Sequence, residues 1–287
     1  MKKSNTLSIA LVITIIAFDV FVWHRIVFGA PAKTPEFYFL DVGQGDGELV
    51  ILPGGVKILT DAGPDGKVVK SLEKILSPQE RYIDLAVITH PQLDHFNGFN
   101  ELLKRYEFGA FIVNGRSGTP NVKEWPILVD EINRRHIPLI TLAAGDRIKN
   151  GESEVDFLSP DATWIQSGEL NDTGLVELIK TPLLRALFTA DIGVNIEEYL
   201  ISKGIDLRVD ILKVGHHGSK YSSSARFLEK VDPKVAVIEV GKNRYGHPTD
   251  EALKRLGDAG IKVFRTDENG TVKIIAEDKK LKVFVGR

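Results

Sequence analysis

Histidine placement carries the chemistry of this sequence. Of seven histidines (24, 90, 95, 136, 216, 217 and 247), five lie in loops that directly follow apolar, β-branched runs, beside Asp or Gly. These five are His90, His95, His216, His217 and His247. A packing histidine stands alone on an apolar face, as His136 is expected to; five at strand ends describe a built site. Across residues 86–95 an apolar run closes at His90, and the turn after it returns Asp94 and His95 within reach. Imidazole and carboxylate at that spacing can ligate a divalent metal ion. Asp191 ends a second apolar run, where a buried unpaired carboxylate would be costly and a cation would offset that cost.

Composition narrows the alternatives. The 287 residues include no cysteine, which excludes a thiolate nucleophile, a thiolate zinc site, an iron–sulfur cluster and a disulfide scaffold. With 43% hydrophobic and 26% charged residues the chain can bury a real core. Its 37 basic and 39 acidic residues make no bulk positive field, so any polyanion must be gripped locally. Two segments offer such a grip. Ser219 and Lys220, with the serines leading to a helix near Ser224, suit a phosphate. Lys242, Asn243, Arg244 and Tyr245 bring cation, amide and ring ahead of His247, enough to hold a phosphodiester and stack a base. His247 is then the candidate general acid for the leaving oxygen. In the loop of Gly43, Gln44, Gly45 and Asp46, the glycines let backbone N–H groups approach a ligand.

The elements that must position these residues alternate β-branched runs with amphipathic segments. Strands are predicted at 37–42, 48–52, 56–60, 85–89, 110–113, 155–158, 175–179, 186–189, 211–214, 235–240, 262–265, 271–276 and 281–285. Helices are predicted at 68–76, 98–105, 123–135, 196–201, 224–230 and 249–259, the last capped by Thr249 and stopped by Gly260. Early hairpins followed by strand–helix alternation imply a layered α/β unit over residues 36–287. Ahead of it, Lys2 and Lys3 precede an apolar stretch from 7 to 28, interrupted by Asp19, His24 and Arg25. Residues 1–29 are expected to be a membrane anchor with the lysines inside and the globular unit outside the cytoplasm. The alternative is a signal peptide, cut near Ala30 or Ala32 to release a secreted protein. Residues 30–35, with Pro31 and Pro35, form the expected linker.

The segment His90-x-x-x-Asp94-His95 resembles the second motif of the metallo-β-lactamase superfamily, ordinarily His-x-His-x-Asp-His. Phe39 to Asp46 and Leu59 to Gly63 resemble its opening hairpins. Leu212 to Ser219 (LKVGHHGS) and Arg244 to Pro248 (RYGHP) are similar to the C-terminal hydrolase domain of ComEC-type DNA-internalisation competence proteins. The resemblance runs in order from residue 36 to 287. It implies a four-layer αβ/βα sandwich, preceded here by one hydrophobic helix, with the metal site between two sheets. It further implies one metal position from Asp94, His95 and His216, with Asp191 as the bridging carboxylate. His216 and His217 both remain open as that ligand; His216, the first past the strand, is favoured, leaving His217 to orient a ligand or meet substrate.

For the other position the resemblance implies His90 without its usual partner, because Gln92 stands where the second histidine belongs. Asn171 to Gly174 loosely matches the competence branch there, so Asp172 or Gln92 is the expected oxygen donor. Asp61 corresponds to an aspartate that holds a ligand histidine by its free N–H. One or two divalent ions follow, manganese or zinc, with magnesium also admissible. The expected activity is hydrolysis by a metal-activated water, with Asp94 and Asp191 orienting that water or accepting its proton. The chain is therefore expected to be a membrane-anchored phosphodiesterase or nuclease, and three roles stay open for it: serving a separate DNA-transport channel, salvaging nucleotides, or cleaving another ester. The alternatives are a cell-envelope hydrolase of another phosphoester and a non-catalytic binding module.

Overall fold

The computed structural model describes the backbone of residues 2–28, 34–119, 121–277 and 280–287 and, in the first helix, the side chains of residues 8–23. Its strands in chain order are β1 (Glu36–Phe39), β2 (Glu48–Ile51), β3 (Lys57–Thr60), β4 (Tyr82–Ile88) and β5 (Glu107–Val113). β6 (Leu139–Thr141), β7 (Arg147–Asn150), β8 (Ser153–Ser159), β9 (Val176–Lys180) and β10 (Arg185–Phe188) follow. The last are β11 (Ile211–Lys213), β12 (Val235–Ile238), β13 (Lys262–Arg265), β14 (Val272–Glu277) and β15 (Lys280–Val285). They form two sheets, one ordered β15-β14-β1-β2-β3-β4-β5-β6 and the other β13-β12-β11-β10-β9-β8-β7.

Side-chain alternation along the strands builds the layers. Val50, Ile58, Val87 and Ile112 of the first sheet meet Ile179, Phe188, Ile211 and Val237 of the second in the core between the sheets. Their neighbours Leu49, Leu59, Ala86 and Phe111 face the other way, against the helices on the first sheet. Leu178, Leu187, Leu212 and Ala236 do the same on the second. Both faces of each sheet are thus covered, which is why these strands read as continuous apolar runs. The result is the expected α/β/β/α sandwich. Phe188 lies edge-on to Phe37 and Phe39 at 6.3 and 5.6 Å and ties the two sheets together.

The two strands not predicted are β6 and β7. All three residues of β6 are exposed on a sheet edge, so no buried face writes a pattern there. β7 sets one isoleucine among Arg147, Lys149 and Asn150. The predicted helix 68–76 regularises only over Lys67–Leu72 and continues as turns to Leu76. Thr249 caps its helix as expected, its side chain accepting from the Ala252 N–H, and Ser224 caps the helix Ala225–Val231 by accepting from the Phe227 N–H.

The first helix spans Lys2–Phe28. Its described apolar side chains, from Ile9 to Trp23, are exposed on every side. Among the described residues no helix is long and apolar enough to cross a membrane, so the expected span is not found there. The side chains of His24 and Arg25, residue 29 of the expected anchor, and residues 30–33 of the expected linker lie outside the described residues.

Candidate metal centre

Strands β3 to β6 run parallel, as do β10 to β13, so their carboxyl ends gather at one edge of the sandwich. Crevices at such ends are where open α/β sheets build sites. β3 leads into Asp61, β4 into His90 and the short helix Leu93–Phe96, β10 into Asp191, and β11 into His216 and His217. Asp61, Ala190, His216 and His217 are four of the seven described non-glycine residues with positive φ. Strained backbone therefore concentrates where the ligand candidates turn inward. The loop after β1 closes the site from the other side. Gly45 lies so close that a Cβ there would stand 2.2 Å from the Asp94 carbonyl oxygen, and the Asp46 N–H donates to that same oxygen at 3.2 Å.

One atom each from Asp94, His95, Asp191 and His217 falls within 4.8 Å of the others. His95 Nε2 is 3.3 Å from Asp191 Oδ2, while His217 Nε2 is 3.5 Å from that oxygen and 3.4 Å from Asp94 Oδ2. The other ring nitrogens are committed. His95 Nδ1 donates to Asp61 Oδ2 at 2.7 Å, and His217 Nδ1 donates to the Glu239 carbonyl at 2.8 Å. His90 Nδ1 meets Thr89 Oγ1 at 3.0 Å, and that hydroxyl donates to Asp61 Oδ2 at 2.6 Å. An acceptor at each Nδ1 fixes its proton there and leaves Nε2 with a lone pair. The Nε2 atoms of His90, His95 and His217, with Asp191 Oδ1, are buried and have no hydrogen-bond partner among the described residues. Buried polar atoms are seldom left so. The partnerless Nε2 atoms of His95 and His217, converging with Oδ2 of Asp94 and of Asp191, fit a divalent cation.

The electrostatics agree. Burial alone lowers the pKa of His95 and His217, but Asp191 with Asp61 or Asp46 outweighs it and holds both well above the ordinary range. The field that favours a proton there also favours a metal ion, which takes its place on the ring. Burial would raise Asp94, but the His217 hydrogen bond and the charge of His95 bring it down to about 2. At His90, burial and the adjacent His95 outweigh the pull of Asp191, Asp94 and Asp46 and lower it to about 3, keeping it neutral.

Beneath the cluster lies Lys213, fully buried in an apolar run and not anticipated from the sequence. Its ammonium pairs closely with Asp46, donates to the Ala190 carbonyl at 2.8 Å and lies 3.8 Å from Asp191 Oδ1. Asp46 Oδ1 in turn is 3.2 Å from His217 Nδ1. Glu48 and Glu239 converge on Asp46 behind this pair. Burial raises Glu48 well above the carboxylate range and pushes Glu239 up to about 8.

Several expectations are corrected by position. The imidazole brought among Asp94, His95 and Asp191 is that of His217. His216 sits one third exposed, its Nε2 4.0 Å from Asp191 Oδ2 and its ring edge-on to His247 at 5.3 Å. Asp46, expected to meet substrate, is fully buried and cannot. Ser219 is also buried, its hydroxyl accepting from the Tyr221 N–H. Gln44 Oε1 accepts from the Gly241 N–H at 3.2 Å. Asn243 spends its amide on its own loop, donating to the carbonyls of Gly241 and His247 and accepting from the N–H groups of Tyr245 and His247. Asp172 turns away to accept from Ser167 at 3.0 Å; Asn171 faces the site instead, accepting from the Gln92 amide and lying 3.4 Å from His216. Lys220 and Tyr245 remain at the surface, with Tyr245 64% exposed and 5.9 Å from His247. Burial, then His216 and His217, lower His247, whose Nδ1 has no partner among the described residues.

The sequence profile of the Metallo-beta-lactamase superfamily matches residues 49–241. The chain belongs to this superfamily. Among similar proteins, ComE operon protein 3 of Bacillus subtilis is 29% identical over 266 residues, covering 83% of this chain and 32% of that protein. Competence protein ComA of Neisseria gonorrhoeae is 31% identical over 238 residues, covering 81% of this chain and 31% of that protein. The chain thus spans about a third of the length of these relatives. In fold it is similar to the metallo-beta-lactamase fold protein YhfI of Bacillus subtilis, with a TM-score of 0.56 at 13% identity, covering 84% of this chain and 100% of that one. This metallo-beta-lactamase superfamily chain is therefore a metal-dependent hydrolase by family and carries a cluster able to hold the metal.

Proposed function

We propose that the chain is a phosphodiesterase that cleaves nucleic acid, tethered to a membrane by the helix Lys2–Phe28 with its hydrolase domain outside the cytoplasm, and that it serves a DNA-transport channel. One observation carries the reading. Two partnerless Nε2 atoms meet two carboxylates at the mouth of a crevice, where Asp94 is open to solvent and Tyr245 and Lys220 remain exposed. The similarity to competence proteins supports nucleic acid as the substrate, and the exposed apolar surface of the first helix supports a lipid or protein cover for it.

Asp94, His95, Asp191 and His217 would hold a divalent ion, which when bound would lower the pKa of a water and offset the negative charge developing at phosphorus. Two carboxylates beside two imidazoles suit manganese or zinc. Asp61 and the Glu239 carbonyl keep His95 and His217 in the ligating tautomer. Lys213 holds Asp46 and the Asp191 turn in place. Asp94, with its side chain 30% exposed, would be placed to accept a hydrogen bond from such a water. Lys220 binds a phosphate oxygen and Tyr245 stacks a base. Burial and the neighbouring His216 and His217 hold His247 below the ordinary range; an anionic phosphodiester beside it opposes that shift, so that the ring takes up a proton from solvent and gives it to the leaving oxygen.

The test is a substrate panel on the full chain in detergent with Mn²⁺. Turnover of bis-p-nitrophenyl phosphate and of single-stranded DNA, both lost in His95→Ala, supports the reading. If both stay intact while a phosphocholine ester or a lactam is hydrolysed, the reading is wrong.

A further inference from the structure

The chain carries a formal charge of −2, yet it gathers cations in one groove away from the metal cluster. This cavity of about 550 Å³ is lined by Lys67, Lys70, Lys74, Lys242 and Arg287, with Gly43 in its wall. Lys67, Lys70 and Lys74 are spaced to share one face of the helical segment that starts at Lys67. Val68, Val69, Leu72 and Leu76 are buried and commit the opposite face to the core, so the lysines point outward. The nearby carboxylates are already engaged. Asp41 pairs with Arg287, Asp267 with Arg265 at 2.7 Å, and Asp65 stands 3.7 Å from Lys67. Among the described residues, no ion pair involves Lys70, Lys74 or Lys242.

The groove is joined to the metal cluster by a single tight loop. A Cβ on Gly43 would lie 2.7 Å from Lys67 Nζ, and one on Gly241 would lie 2.4 Å from the Gly43 backbone. Two residues on, Gly45 packs against Asp94 itself. Lys242 begins the loop that ends at Tyr245 and His247, so the same short segment borders groove and site. Tyr245 and Tyr221, 64% and 68% exposed, offer ring faces next to His247 and the His217 loop. Such rings suit unstacked bases, and lysines without acceptors suit a phosphate backbone read without regard to sequence.

We propose that this groove is a second, non-catalytic site for the sugar–phosphate backbone of a single-stranded polynucleotide, gripping the strand away from the bond that is cut. The proposal builds on the phosphodiesterase reading and makes the substrate a polymer, because a small diester cannot occupy groove and cluster together.

The test separates binding from cleavage. Anisotropy of a labelled thymidine oligomer of about 20 nucleotides is followed against the full chain in detergent and EDTA, across a salt series. The charge reversal Lys67→Glu, Lys70→Glu, Lys74→Glu should weaken binding about 10²-fold near ~0.1 M salt and make the log–log salt slope shallower by about 2. The neutral Lys67→Gln, Lys70→Gln, Lys74→Gln variant should fall between that variant and the parent. Equal affinity and slope in parent and charge reversal overturn the groove. So does loss of binding to phosphatidylserine vesicles with oligomer binding intact. The parent's action on bis-p-nitrophenyl phosphate is scored apart: no hydrolysis there, with groove-dependent binding retained, rejects the phosphodiesterase reading and upholds the groove.

Discussion

Each half of the crevice brings two imidazoles beside two oxygen-bearing side chains, carboxylates in one and amides in the other, and the halves differ in how those groups are held. On one side Asp94, His95, Asp191 and His217 converge, and each imidazole is pinned through Nδ1 by a carboxylate or carbonyl from another strand end. On the other side stand His90, Gln92, Asn171 and His216. His90 is pinned as firmly, through Thr89, but the amides of Gln92 and Asn171 satisfy one another and His216 is partly exposed. Among the described residues, no group of three close ligand atoms includes His90 or His216. A second motif histidine at position 92 would have given His90 a partner; glutamine closes a hydrogen bond there instead. A metal position thus depends on the partners that aim the nitrogens, and counting histidines does not reveal them.

Exchanging the halves gives the largest expected effect. His217→Ala should lose the bound ion, measured as metal per chain, and with it nearly all hydrolysis. His216→Ala should keep the ion and lose only part of the rate. Equal loss in both variants would erase the distinction. Next comes the support beneath the ordered half. Lys213→Met leaves Asp46 buried without its counter-charge and should cost about 3–5 kcal/mol in denaturant unfolding. A loss below about 1 kcal/mol would show that the ion pair is not what holds the Asp46 loop. The weaker half can be sharpened directly. Gln92→His breaks the bond to Asn171 and gives His90 an imidazole partner, so metal per chain should rise; an unchanged stoichiometry would mean that His216 and Asn171, not residue 92, keep an ion out.

The smallest effect concerns the fold behind the site. Burial pushes Glu177, beside Thr60 and Asp61, up to about 8. A carboxyl raised on folding binds its proton more tightly in the native state. The stability it lends is complete below the ordinary glutamate range and is lost as pH rises through about 8. Glu177→Gln should therefore melt close to the parent near about pH 5 and above it near about pH 8. A parallel pH dependence in both proteins would show that Glu177 does not titrate with folding.

The legible part of the site was the part written locally. His90, Asp94 and His95 follow one strand, Asp191 ends another, and the alternation that buries both faces of each sheet announced most of the strands. What could not be read depends on contacts across the chain. Left-handed backbone at both His216 and His217, and the carbonyl of Glu239 just past the end of β12, decide which ring turns in. Gly45 packing on Asp94 pulls Asp46 inside, where a glycine-rich loop seen alone suggests exposure to ligand. Lys213 carried a faint signal, a charge flanked by Leu212 and Val214 in an apolar strand, which only a buried counter-ion explains. β6 and β7 lacked the buried face from which a strand is recognised.

The central claim concerns where a cation sits. Crystals of the full chain grown with Mn²⁺ and measured at the manganese absorption edge should show an anomalous peak bounded by Asp94, His95, Asp191 and His217. A peak confined to His90 and His216, or none at that cluster while the ion is abundant, would contradict the account.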